Sequence, residues 1–143
     1  MFKELTERNK MYEIEVLQMF KTQLLNFFDE LIGQFPTEGD LIAIRLFLTN
    51  QIPIKDAMDI FTYKINSNDQ ELRKMIKERN ESFFLEHNLF DSLGKEKVVH
   101  FKRLWRSETL DDEDREVIWN WVDTFVYLSD KYVKTLKNDS CTV

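Results

Sequence analysis

The sequence predicts an all-α fold: one domain of five or six helices, with a long first helix and a long last helix packed against each other. Three observations carry that prediction. The 143 residues hold only three Gly and two Pro, too few breakers for the many turns of a β sandwich. Apolar residues recur at three- and four-residue steps, the spacing of one helical face. Hydrophobic residues make up 43% of the chain and twelve are Phe, enough for a core that needs no disulfide or metal staple.

Taken in order, the first helix is expected over about Leu5–Ile32. Tyr12, Val16, Met19, Phe20, Leu24, Phe27 and Leu31 form its inner face, widened by Leu17, Phe28 and Ile32. Gly33 stops it and Pro36 seals the end. The second helix carries Leu41, Ile42, Ile44, Leu46, Phe47 and Leu48. It is short and mostly apolar, so it is expected to be buried. Pro53 suits the first turn of a third helix. There Ile54, Ala57, Met58, Phe61 and Ile65 make a clean stripe. Asn66-Ser67-Asn68-Asp69 reads as a turn and N-cap cluster.

A fourth helix is expected over about Gln70–Leu85, with Leu72, Met75, Ile76, Phe83 and Phe84 inward and alternating charges outward. His87–Gly94 reads as a connection. The fifth helix covers about Lys95–Arg106, with Val98, Phe101, Leu104 and Trp105 inward. The sixth opens on Thr109 and Asp112, three residues apart, in the manner of a capping box. It then runs to about Lys137. Residues 1–137 are thus read as one helical domain, and 138–143 as a flexible C-terminal tail.

The last helix is apolar on nearly every side. Trp121, Phe125, Leu128, Tyr132 and Leu136 form one stripe; Trp119, Val122, Val126 and Val133 form another. A helix apolar all round must be covered all round. One reading is a central helix wrapped by the other five. The other is that the Trp119 stripe meets a protein partner, since Trp and Tyr are typical interface anchors. On the partner reading, Trp119→Asp disturbs assembly more than folding, whereas Trp121→Asp unfolds the domain.

Several function classes lose support. One cysteine, Cys141, allows no internal disulfide framework and fits a reducing compartment. No signal peptide is visible at the start, and no span reaches the ~20 apolar residues of a membrane helix. A cytoplasmic or virion location is expected, and secretion is not. No Gly-rich phosphate loop, dinucleotide fingerprint or Gly-x-Ser-x-Gly elbow is present, and Cys141 has no base near it in sequence. No catalytic residue, cofactor or metal is therefore assigned. The acidic run fails as a calcium loop: counted from Asp111, the sixth and twelfth positions hold Glu116 and Val122 instead of Gly and Glu. It reads as charge at a helix N-terminus. His87 and His100 lack the Glu-x-x-His spacing of di-iron bundles.

The formal net charge of −6 disfavours non-specific nucleic-acid binding. Residues 95–106 hold five basic residues against one acidic, a local net charge of +4. Lys95, Lys102, Arg103 and Arg106 are the candidates for phosphate contacts. The acidic run that follows offers an internal match for them.

Three segments carry a resemblance: Glu81-Ser82-Phe83-Phe84-Leu85, Phe101-Lys102-Arg103-Leu104-Trp105, and Ile118-Trp119-Asn120-Trp121-Val122-Asp123-Thr124-Phe125. In this order they resemble small helical proteins of large icosahedral (nucleocytoplasmic) DNA viruses, over about residues 72–133. The resemblance implies a viral origin and a virion or capsid-associated role. It transfers no catalytic residues. Three functions stay open on the sequence. The first is a non-enzymatic structural or interaction protein, a minor virion component whose partners are other virion proteins or itself. The second is a regulatory helical module that captures a host or viral protein. Groove-forming cell-death regulators of that kind usually show Asn-Trp-Gly-Arg, whereas here Asn120-Trp121 precedes Val122-Asp123. The third is a nucleic-acid-binding factor that uses residues 95–106.

Overall fold

A computed structural model describes residues 2–82, 99 and 102–141, with side chains for 10–82, 99 and 102–137. The fold is all-α, with long first and last helices, and no strand occurs among the described residues. Helix α1 spans Phe2–Gln34, α2 Gly39–Asn50, α3 Ile54–Asn66, α4 Glu71–Lys77 and α5 Asp112–Cys141. A turn at Asn68–Gln70, whose three residues have φ of 53°, 55° and 62° in the left-handed region, joins α3 to α4.

The most extensive packing is between α1 and α5, and α3 and α4 complete the wall around α5. Phe20 and Phe27 of α1, Phe61 of α3 and Phe125 of α5 meet mostly edge to face, with neighbouring centroids 5.7 to 6.5 Å apart. That is the preferred geometry of aromatic pairs. Met58 and Ile65 of α3 and Tyr132 of α5 are 0% exposed at the same junction.

The third helix behaves as its stripe requires. On α1, by contrast, Tyr12 and Met19 are 58% and 45% exposed. The arc that the other helices cover runs through Phe20 and Phe27 to Leu17 and Phe28, so residues at its far edge stay out. The last helix continues through Cys141, past the expected end at Lys137.

The fourth helix is shorter than its pattern suggests. It stops at Lys77, and Arg79 follows with φ 57°, in the left-handed region. The Asn80 N–H donates to the Met75 carbonyl at 3.0 Å and the Arg79 N–H to that of Ile76 at 3.1 Å. This is the Schellman closure that usually takes Gly. A side chain in that conformation costs about 1–2 kcal/mol. The Arg79 side chain offsets it by anchoring on α5. Its guanidinium donates to both carboxylate oxygens of Asp123, at 3.0 and 2.7 Å. The expected inward residues Phe83 and Phe84, the connection 87–94 and most of the expected fifth helix lie outside the described residues. Within that helix, residues 102–105 are helical, and Leu104 and Trp105 are buried.

The last helix is capped two residues later than the sequence suggests. The Asp114 N–H donates to Asp111 Oδ1 at 2.7 Å, and the Asp111 N–H to Asp114 Oδ2 at 3.2 Å. The reciprocal box is therefore Asp111 with Asp114, not Thr109 with Asp112. Asp112, Glu113 and Asp114 occupy the first turn, where the helix dipole favours negative charge.

Candidate functional site

The two stripes of α5 are both turned inward. Trp119 is 3% exposed and Val122 4%. The Trp119 ring meets Trp105 edge to face, at 5.5 Å and 82°. The Arg79 guanidinium lies over its face, 5.4 Å from the ring centre. Val126 packs against the core, and Val133 is half-buried. Trp121, on the other stripe, is the more exposed tryptophan. It rests on Phe27 and Phe125 and donates its indole N–H to Glu30 Oε2 at 2.7 Å. The Trp119 side that the partner reading turns outward is thus enclosed within the single chain, as the reading of a wrapped helix requires. Trp119 is enclosed because the turn holding Trp105 and the side chain of Arg79 close over it.

A polar seam runs along α5 where it faces α3 and α4. Near the start, Arg79 pairs with Asp123 and, at 3.5 Å, with Glu116. Arg73 makes a two-pronged pair with Asp130, at 2.9 and 2.7 Å, and also reaches Asn66 Oδ1 at 2.9 Å. The hydroxyls of Thr62 and Ser129 lie 2.9 Å apart, with Ser129 fully buried. At the far end Lys55 Nζ donates to the Tyr132 hydroxyl at 2.7 Å, and that hydroxyl donates to Asp59 Oδ1 at 2.6 Å. Glu13 of α1 accepts from Lys55 at 3.3 Å. Bidentate Arg–carboxylate pairs fix geometry as well as energy, so the seam sets the register of α3 and α4 on α5.

The hydrogen bond to Tyr132, and then that to Glu13, hold the Lys55 ammonium well above its ordinary range against its own desolvation. Burial, then the hydrogen bond to Asp59, pushes the Tyr132 phenol up from 10.0. Asp130 and Asp123 raise Arg73 and Arg79 in the same way. The bonds of Lys55 and Tyr132 tie α1 and α3 to α5 at the far end of the seam.

Of the basic stretch 95–106, the described residues are 99 and 102–106. Arg103 reaches Glu38, before α2, at 3.7 Å. Arg106 is exposed, Lys102 is half-buried, and Lys95 lies outside the described residues. Arg115 turns to the carbonyls of Trp105 and Ser107, at 3.0 and 3.3 Å. Among the described residues no group of three or more His, Cys, Asp or Glu is placed to hold a metal, and no helix is long and apolar enough to cross a membrane.

The surface that sequence reasoning missed is on α2. Only Leu41 and Ile44 of this helix are fully buried. Ile42, Leu46 and Phe47 are 42%, 54% and 52% exposed. With Ala43 they occupy the side turned away from α1, where positions one, four and five apart share a face. The expectation of a buried second helix is corrected here. It packs chiefly on α1, with Arg45 clamped to Asp29 at 2.6 Å and Lys21 donating to the Thr49 carbonyl at 3.2 Å. Among the described helices α1 is its chief neighbour and covers the side of Leu41 and Ile44. The signal was available in the sequence: the outer positions from Ile42 to Phe47 hold no charge, although solvated helix faces normally do.

A cleft of about 300 Å³ lies between the C-terminal turns of α1 and the N-terminal turns of α5. Phe27, Leu31, Ile118 and Trp121 make its walls, and Glu30 and Asp114 add two carboxylates. No family model, curated protein or solved structure matches this chain.

Proposed function

We propose that this chain is a non-enzymatic interaction domain, and that it docks through the outer face of α2 onto an apolar helix face of a protein partner. One observation carries the reading: α2 is apolar on both sides and buries only one, leaving Ile42, Leu46 and Phe47 about half exposed. Full burial of such a side chain is worth roughly 1.5–3 kcal/mol, so on the order of 1 kcal/mol per residue is held back in the single chain. The resemblance of residues 72–133 to proteins of large DNA viruses supports a place as a minor component of the viral particle, with another virion protein as the partner.

The test joins sedimentation to substitution at the face. Wild-type chain is expected in fixed proportion to the major proteins of purified particles from its native source. Leu46→Glu with Phe47→Glu should keep the thermal transition and leave the particle fraction. Equal incorporation of this variant would remove α2 as the docking face. Absence of the wild-type chain from particles would remove the virion role.

A further inference from the structure

The cleft between α1 and α5 joins an apolar floor to one sign of charge. Phe27, Leu31, Ile118 and Trp121 form the floor, and Val117 stands at 42% exposure beside it. Every ionisable residue among those that line it is a carboxylate, Glu30 and Asp114. Each already accepts one hydrogen bond, from the Trp121 indole and from the Asp111 backbone, and each has a second oxygen. The last turn of α1 holds no basic residue. Its carbonyl end adds negative potential beside Gly33 and Gln34, which also line the cleft, and opposes the positive N-terminal end of α5, so the net sign is set by the two carboxylates. Arg115, on the same turns of α5, is turned to the carbonyls of Trp105 and Ser107 and does not line it.

The volume, about 300 Å³, is at the lower limit of small-molecule pockets. It suits one or two side chains presented by a larger body. A bare apolar anchor would leave the carboxylates facing it unmatched, and an acidic one would be repelled. We propose that this cleft receives a basic, aliphatic segment of a protein partner: an Arg or Lys met by Glu30 and Asp114, and a neighbouring aliphatic side chain on Leu31, Val117 and Ile118. The Trp121 ring, at the same wall, adds an aromatic face for the cation. The site is separate from the outer face of α2, and neither surface needs the other.

Two synthetic helical peptides with the same leucine face test it, one with Arg and Lys on its polar side and one with Glu. Titrated against the full chain, the basic peptide is expected to bind and to shift Trp121 emission. Trp121→Phe removes that shift. The acidic peptide is expected to show no binding. Raising the salt should weaken the basic complex, because exposed charges are screened within a Debye length of about 8 Å at physiological ionic strength. Val117→Lys places a cation at the mouth and should weaken binding about tenfold or more, since like charges brought together repel. Gly33→Leu is the second variant: a Cβ there meets nothing within 4 Å, so the fold tolerates it while the leucine fills the opening. Loss of binding in both variants, with wild-type melting, supports the cleft. Equal binding of the two peptides, unchanged binding by Val117→Lys and Gly33→Leu, or equal occupancy by spermine would each overturn it. Leu46→Glu should leave peptide binding intact, so failure here and failure of the α2 face are distinguishable.

Discussion

The second and last helices share a property and meet different fates. Both are apolar on more sides than one neighbour can cover. In α5 the extra side is enclosed: α1, α3 and α4 pack around it, and Trp105 and Arg79 close over Trp119. In α2 the extra side stays open, with Leu46 and Phe47 more than half exposed. The difference is position in the bundle. Helix α5 packs against α1, α3 and α4 and keeps a stripe of Val117, Asn120, Asp123, Tyr127 and Lys131 in water, whereas α2 packs chiefly on α1. An all-round apolar helix is therefore evidence of an interface only after its place is known.

The largest expected effect tests the enclosure of α5. Trp119→Asp puts a carboxylate into a site that is 3% exposed. A carboxylate buried there should cost more than about 4 kcal/mol, a large part of the stability of an ordinary domain. Urea melts of Trp119→Asp and Trp121→Asp should place the former far lower. Similar midpoints for the two would break the contrast between the enclosed and the marginal tryptophan.

Next in size is the buried hydroxyl pair in the seam. Thr62→Val or Ser129→Ala alone leaves one hydroxyl without its partner, at about 1–3 kcal/mol, while the double variant should recover most of the loss. A double-mutant cycle reads this directly. Additive losses would mean that the pair does not couple α3 to α5.

A smaller effect appears in alkali. Lys55 has its folded pKa raised above 10.5, so its contribution is complete below that value and is lost as pH rises through the folded pKa. Tyr132 is raised above 10.0 by burial, so the unfolded chain gives up that proton first and stability again falls with rising pH. Stability should therefore decline from about pH 10 upward. Tyr132→Phe should flatten that decline. An equally steep fall in Tyr132→Phe would show that other groups control it.

The smallest effect on stability belongs to α2. Leu46→Glu should change the melting free energy by no more than about 0.5 kcal/mol, as expected of an exposed site. A loss near that of Trp119→Asp would show that the α2 face is covered within the single chain and would sharpen the comparison in the opposite sense.

Much of this fold is legible in the residues. The stripe from Ile54 to Ile65 names the buried face of α3 because each member is four or fewer steps from the next and no alternative stripe competes. The acidic run from Asp111 marks the start of α5, since caps and dipoles act within one turn. Other features depended on partners distant in sequence. The left-handed Arg79 that ends α4 has no local signature, because its side chain is held by Asp123, on another helix. The cleft likewise joins Glu30 to Asp114, residues that no periodicity brings together.

Composition and periodicity, acting locally, determined that this protein is helical and that two of its helices carry apolar residues beyond a single stripe. Only the tertiary structure decided which of those two would be enclosed. Periodicity specifies how many faces need cover, whereas cover is supplied by elements remote in the chain, and their arrangement is a property of the whole packed bundle.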